Sequence, residues 1–127
     1  MILCDTNIII ELLKGNGKLI SYVEKLGLDT IAISSVTLME LYFGAFNKTE
    51  LQKIKKYMQG IPVLRIATNI SETAVSLIEQ YAKSHTLNIP DALIAATAIE
   101  NNLELFTLNV KDFKYISELK LHKMSNA

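Results

Sequence analysis

The chain has 127 residues, of which half are hydrophobic and 20% are charged, so a disordered protein is excluded and one globular domain over residues 1–127 is expected. It contains a single cysteine, Cys4, which excludes a disulfide framework within the chain and suits a reducing compartment. The 13 basic and 13 acidic residues balance, so net charge gives no sign of nucleic acid binding.

The N-terminus lacks the basic region of a signal peptide, and Asp5 interrupts its apolar run early. No apolar segment approaches the roughly 20 residues that a membrane span requires. We therefore expect a cytoplasmic protein without a membrane partner.

The first seven residues predict a strand that ends in a carboxylate. Residues 2–4 are apolar, Asp5 follows them, and the apolar residues from Ile8 to Leu13 recur at helical spacing. In an α/β sheet, ligands bind outside the carboxyl ends of the strands, so Asp5 would lie at a binding edge. The alternative is that Asp5, Thr6 or Asn7 only caps the first helix.

The chain continues as alternating helices and strands up to residue 66. In order, the sequence predicts a helix over 18–26, a strand over 31–33, a helix reaching about residue 45, a helix over 49–59 and a strand over 63–66. Gly27 suits the position after the first of these helices, and Ser34 or Ser35 and Thr49 suit the caps of the next two.

The second half repeats this alternation. It predicts a long helix that begins at Ser71 and buries Val75, a loop over 84–88, a helix over 91–101, a strand over 104–107, a turn at 112–113 and a short strand over 119–121. Pro90 suits the first turn of its helix. The pattern predicts an α/β fold with a mainly parallel central sheet of about five strands.

Four acidic residues occupy similar settings in this fold. Asp5 ends the first strand, Asp91 opens a helix, and Asp112 follows the fourth strand. Glu40 lies in an apolar helix, where we expect it to be buried rather than solvated. Right-handed crossovers place the strand ends on one edge, so these carboxylates should converge there. The alternatives are that Glu40 faces solvent at the edge of its helix and that Asp91 only complements the helix dipole.

Converging carboxylates without a cation repel one another, and a divalent metal removes that repulsion. Mg²⁺ prefers hard oxygen ligands and retains water, and a metal-activated water can hydrolyse a phosphodiester. With one cysteine and two histidines, His85 and His122, the chain offers no closed zinc site, and His85 is expected to be a loop residue rather than a general base.

A bound metal ion would also change the net charge that the protein presents to a substrate. With four of the 13 acids neutralised, nine acids face 13 basic residues, which is an excess of four positive charges. The lysines that could contact phosphate, or could equally be ordinary solvated residues, are Lys53, Lys55, Lys56, Lys111, Lys114, Lys120 and Lys123.

Four ordered segments resemble PIN-domain ribonucleases, and most closely the VapC toxins of toxin–antitoxin pairs. The segments are Ile2-Leu-Cys-Asp5-Thr6-Asn7, Ser35-Val-Thr-Leu-Met-Glu40-Leu-Tyr-Phe-Gly44, Ile89-Pro-Asp91-Ala-Leu-Ile-Ala-Ala-Thr97 and Thr107-Leu-Asn109-Val-Lys-Asp112-Phe113. The resemblance implies a PIN-like three-layer α/β/α sandwich. It also implies an endoribonuclease, dependent on Mg²⁺ or Mn²⁺, that cuts single-stranded regions of RNA.

The resemblance also assigns roles to individual residues. Asp5, Glu40 and Asp91 match the metal-binding acids. Many members carry an aspartate where this chain has Asn109, and Asp112 is the nearby acid that could supply this charge and complete the catalytic set. Thr6, Asn7, Thr107 and Asn109 would then support the acids through hydrogen bonds.

The family further implies a homodimer and a small antitoxin that inserts near the acids. Tyr42 and Phe43 could contribute to that surface, although we expect both to pack in the core.

The sequence is also compatible with two other functions. A catalytically impaired PIN-like module that binds RNA or protein is suggested by Asn109. A phosphatase of the haloacid dehalogenase type would use Asp5 as a nucleophile, but that class places a second aspartate where this chain has Asn7.

Overall fold

The computed structural model describes residues 1–124, in which strands and helices alternate as the sequence predicts. The elements are β1 (Ile2–Cys4), α1 (Thr6–Leu13), α2 (Gly17–Leu26), β2 (Ile31–Ser34), α3 (Ser35–Phe43), α4 (Lys48–Tyr57), β3 (Val63–Leu64), α5 (Thr68–His85), α6 (Ile89–Glu100) and β4 (Glu104–Phe106). Among these residues, no helix combines the length and apolarity needed to cross a membrane.

The four strands of the described residues form one parallel sheet in the order β3-β2-β1-β4. β1 lies in the interior of the sheet, where Leu3 pairs with Ala32 on one side and Leu105 on the other. The fifth strand expected over 119–121 is reduced to a single parallel bridge between Leu105 and Leu121. The carboxyl ends of β1 and β4 therefore lie side by side at one edge of the sheet.

Alternate strand residues belong to two separate hydrophobic cores. Leu3 and Leu105 pack on the face covered by α5 and α6, whereas Cys4 and Phe106 pack on the face covered by α1 and α2. All four side chains are buried, because both faces of a parallel sheet are covered by its crossover helices. The predicted three-layer α/β/α sandwich is confirmed.

Three predicted helix starts are displaced, and capping residues account for two of them. Asn47, not Thr49, caps α4, since its side chain accepts a hydrogen bond from the Glu50 backbone. Helix α5 begins at Thr68 rather than Ser71, and α6 begins at Ile89, two residues before Asp91. In α4 and α6 the first turn is set by a capping asparagine, Asn47 or Asn88, whereas α5 begins after Ala67 without a side-chain cap.

Other differences concern the length and the exposure of elements. The third strand spans only Val63–Leu64, and α5 extends to His85, so that the loop begins at Thr86. Thr86 ends α5 in a left-handed conformation with φ of 57°. Val75 was expected to face inward but is 68% exposed, because the buried stripe of α5 runs through Ile70, Ala74 and Leu77.

The segment after β4 is fixed by Phe113, which is 1% exposed within the core beneath α5 and α6. We expect Phe113→Ala to lower the free energy of unfolding by about 3–5 kcal/mol, through lost burial and the cavity left behind. Val75→Ala, at an exposed site, should change it by less than about 0.5 kcal/mol. Urea denaturation of both variants checks this, and equal losses would contradict the placement of the segment.

Candidate active site

Asp5 lies where β1 meets α1, and it is both the helix cap and the buried acid of the site. Its Oδ1 accepts a 2.8 Å hydrogen bond from the Thr6 backbone N–H, and its Oδ2 accepts a 2.7 Å bond from the Thr107 hydroxyl. Its own backbone N–H donates to the Phe106 carbonyl of β4. The carboxyl is only 5% exposed, so the two sequence interpretations of Asp5, as a cap and as a site residue, are compatible.

Burial raises the pKa of the Asp5 carboxyl above its usual value. The hydrogen bonds from Thr107 and Thr6 act in the opposite direction, while the negative charges of Glu40 and Asp112 raise the pKa further. Asp5 thus lies near two other acids, and no positive charge among the described residues lowers its pKa.

Glu40 was expected to be buried, and this is wrong. Glu40 is exposed, because the buried face of α3 runs through Val36, Thr37 and Leu41. The side chain nevertheless points to the site, where its Oε1 accepts a 2.6 Å hydrogen bond from the Thr6 hydroxyl. That hydroxyl lies 3.0 Å from the hydroxyl of Thr37, a fully buried residue that sequence reasoning missed.

Asp91 lies in the first turn of α6, which Asn88 caps by accepting a 2.9 Å hydrogen bond from the Asp91 backbone N–H. The carboxyl is partly buried, and its pKa is raised to about 6. Desolvation is the largest cause, followed by the charges of Asp5, Asp112 and Glu40, whereas a side-chain hydrogen bond with Asn88 lowers the pKa. Proximity to three acids distinguishes Asp91 from a residue that only complements a helix dipole.

Asp112 and Asn109 are placed differently although both follow β4. Asp112 ends a short turn, Val110–Asp112, and lines the same cleft as Asp91. Its charge raises the pKa of both Asp5 and Asp91. Asn109 is exposed, and its backbone N–H donates to the Thr107 hydroxyl. By position, Asp112 is the fourth carboxylate of the group and Asn109 is part of its support.

Thr107 ties the ends of β1 and β4 together. Its hydroxyl donates to Asp5 and accepts hydrogen bonds from the Asn7 side chain, at 3.4 Å, and from the Asn109 backbone. Asn7 also accepts a bond from the Leu108 backbone N–H. The supporting residues named from the sequence are therefore joined in one network around Asp5.

Among the described residues, the four carboxylates form no ion pair. The two ion pairs found among residues 1–124 join Lys14 to Glu11 and His122 to Glu104, and neither involves the four acids. Hard carboxylate oxygens around a buried aspartate suit a divalent cation such as Mg²⁺. Among the described residues, no three Asp, Glu, His or Cys side chains are already arranged to hold an ion directly.

Cys4, beside Asp5 in the sequence, takes no part in this chemistry. It is fully buried, and desolvation together with the charge of Asp5 raises the pKa of its thiol to about 12. A thiol that stays protonated is not a nucleophile at neutral pH. Cys4 is a core residue, as the sequence indicates.

Comparison with known proteins agrees with this geometry. The family model for the PIN domain matches residues 2–119. Ribonuclease VapC10 of Mycobacterium tuberculosis is 31% identical over 122 residues, which cover 94% of this chain and 91% of the relative. A second relative, Ribonuclease VapC1 of Rickettsia felis, is also 31% identical, with 98% of this chain and 97% of the relative covered.

Solved structures show the same fold at similar coverage. A chain of VapBC2 from Rickettsia felis, bound to a DNA fragment from the promoter, superposes with a TM-score of 0.84 at 29% identity and covers 96% of this chain and 98% of that chain. With the family match over nearly the whole chain, these findings show that this protein belongs to the PIN-domain family and, within it, to the VapC group.

Proposed function

We propose that this protein is a metal-dependent endoribonuclease that cuts single-stranded regions of RNA, acting as the toxin of a toxin–antitoxin pair that inhibits growth or translation. The observation that carries this proposal is a group of four carboxylates, those of Asp5, Glu40, Asp91 and Asp112, that repel one another. None of the four forms an ion pair with a cation among the described residues. The relatives named as VapC ribonucleases support it.

Asp5, Glu40 and Asp91 would hold one or more Mg²⁺ or Mn²⁺ ions, and Asp112 would complete the catalytic set. A divalent ion bound there supplies a Lewis acid and a water of lowered pKa. Asp5 is prevented from rotating by hydrogen bonds from Thr6 and Thr107, and Thr6 also orients Glu40. A carboxylate of the group beside the ion would accept the proton of the attacking water.

The RNA backbone would be held by exposed lysines. Lys111 and Lys114 lie on either side of Asp112 in the sequence, and both are exposed. Lys53, Lys55 and Lys56 are exposed on α4. Contacts between such lysines and phosphates release counterions, so affinity should fall as salt rises.

The alternative of an impaired binding module rests on Asn109 alone. Because Asp112 lines the cleft with Asp91, a carboxylate is present in that region despite Asn109. The geometry thus favours the nuclease over the binding module. In the same way, the bonds from Asn7 to Thr107 and Leu108 give Asn7 a supporting role, and they favour the nuclease over a dehalogenase-type phosphatase.

An antitoxin would bind beside Glu40. Phe43, expected to pack in the core, is 94% exposed, and Met39 and Phe46 are 57% and 88% exposed, whereas Tyr42 packs against the core. A groove of about 480 Å³ is lined by Glu40, by apolar residues of α1, α3 and α4, and by the charged residues Lys14, Glu50 and Lys53. A solved toxin–antitoxin complex from Klebsiella pneumoniae contains a chain that is 34% identical to this one, with 94% of this chain and 95% of that chain covered and a TM-score of 0.79, which supports such a partner. A homodimer is proposed from the family alone.

Replacing a carboxylate of the site should abolish cleavage without unfolding the protein. We expect Asp5→Asn and Asp91→Asn each to lower the rate of RNA cleavage by about 100-fold or more, since each removes a carboxylate that would hold the divalent ion. Cleavage of a mixed single-stranded RNA pool, with Mg²⁺, with Mn²⁺ and with chelator, measures this.

Glu24→Gln, at an exposed position of α2, is the matched control and should cleave at the parent rate. Parent-level cleavage by folded Asp5→Asn or Asp91→Asn protein, or undiminished cleavage in chelator, would refute the proposed mechanism.

The raised pKa of Asp91 predicts how stability depends on pH. Its folded pKa of about 6 exceeds the ordinary value of 3.8, so the folded protein binds this proton more tightly than the unfolded chain. The associated stability is present at low pH and is lost as pH rises toward about 6. Asp91→Asn should therefore gain stability relative to the parent between about pH 4 and pH 7 in chelator.

Urea denaturation at several pH values tests this, with Glu24→Gln as the control for a surface carboxylate. A constant difference between Asp91→Asn and the parent across the range would show that Asp91 titrates as an ordinary exposed acid. Added Mg²⁺ should stabilise the parent at about pH 7 more than at about pH 4, because the ion binds the ionised carboxylates.

A further inference from the structure

Three aromatic rings lie together at the end of α5. The His85 and Tyr115 rings stack face to face, with centroids 4.2 Å apart and planes inclined by 8°. Tyr81 contacts both rings edge-on, at 5.8 Å from His85 and 5.2 Å from Tyr115. Tyr81 and Tyr115 are half-buried, whereas His85 is exposed. The two half-buried tyrosines therefore support the stack from the core side, and its outermost ring, that of His85, is exposed to solvent.

The orientation of the His85 ring is fixed from two directions. Its Nδ1 lies 2.7 Å from the Ser84 hydroxyl, and one ring face packs on Tyr115. Thr86, in its left-handed conformation, turns the chain away immediately after His85. A ring held in this way loses little conformational freedom when a planar ligand stacks on it.

The same rings border the proposed active site. A cleft of about 230 Å³ is lined by His85, Tyr115, Asn88 and the two acids Asp91 and Asp112, together with Thr86 and Leu87. The pKa of Tyr115 is raised by desolvation and then by the charges of Asp91 and Asp112, so its phenol lies within the field of both acids. The cleft thus joins a flat aromatic surface to two carboxylates of the site.

Unpaired bases of single-stranded RNA bind proteins by stacking on aromatic side chains, histidine included. We propose that His85, supported by Tyr115, is a platform on which an unpaired nucleobase stacks beside the phosphodiester that is cut. This inference deepens the proposed ribonuclease function and rests on it. His85 is a positioning residue: it orients the RNA chain and contributes to the choice of cut site.

The alternative role of the stack is to anchor the segment after β4 to α5. Tyr81 and Tyr115 are in contact with each other, so that anchor does not require His85. A base platform, by contrast, needs a flat ring at position 85 and no particular ring nitrogen. The two roles therefore differ in what His85→Ala and His85→Phe should do.

The test measures RNA binding and cleavage by His85→Ala and His85→Phe. Binding is followed in the Asp5→Asn background, with single-stranded RNA oligonucleotides that carry the fluorescent base 2-aminopurine at successive positions, since stacking quenches its emission. His85→Ala should weaken binding about 5- to 100-fold and remove the quenching at one position. In the cleaving protein it should raise KM more than it lowers kcat and should broaden the cut sites, while His85→Phe restores both behaviours.

Tyr57→Ala is the matched control, because Tyr57 is a partly exposed ring of α4 that does not line the cleft. It should bind and cleave RNA like the parent. Unchanged affinity, quenching and cut sites in His85→Ala overturn the platform, even when the parent cleaves RNA with Mg²⁺ as proposed.

The nuclease proposal can fail separately. A parent protein that cleaves nothing, but whose RNA binding and base quenching depend on His85 and are restored by phenylalanine, supports the platform in a protein that only binds RNA. Absence of RNA binding by the Asp5→Asn protein overturns the platform.

Discussion

The hydrogen bond from the Thr107 hydroxyl to Asp5 joins residues that are 102 positions apart in the chain. It crosses between the ends of neighbouring parallel strands, and the remaining site residues are arranged around it. Without such donors a carboxylate that is almost completely buried would be protonated or would turn toward solvent. Because Thr107 also accepts bonds from Asn7 and Asn109, its hydroxyl proton is directed to Asp5. The negative charge of the site thus depends on the correct pairing of β1 with β4.

The carboxylates are placed together at a cost to the fold. Each of Asp5 and Asp91 is partly desolvated next to other acids, and both effects favour the protonated form. A protein selected only for stability would replace one of these acids or pair it with a lysine. The arrangement is therefore a local conflict between folding and function, of the kind expected at functional sites. A divalent cation, as proposed above, would resolve that conflict by offsetting the negative charges.

The sequence predicted the order of elements and the edge on which the acids meet, because both follow from short-range patterns and from the handedness of crossovers. The sequence did not predict correctly whether a side chain is buried or exposed at the site. Glu40 lies among apolar residues in the sequence, yet α3 is buried on one face only, and the partner of Glu40 is Thr6, 34 positions away. The stacking of His85 on Tyr115 could not be foreseen either, because it depends on where α5 ends and on how the last segment returns to it. Asn88 could have been found, since it precedes a proline-containing first helical turn at a cap position.

The two edges of the sheet, at β3 and at β4, limit how this protein can associate with others. At one margin β3 has only two residues, which is too short to template another strand. At the other, the backbone on either side of Leu121 bonds to both the N–H and the C=O of Leu105, so the outer side of β4 is already occupied at its centre. An extended peptide therefore has no free row of backbone groups to pair with along the described sheet. These edges disfavour recognition by strand addition, which leaves helix surfaces and side chains for a partner chain, and they disfavour strand-to-strand aggregation for the same reason.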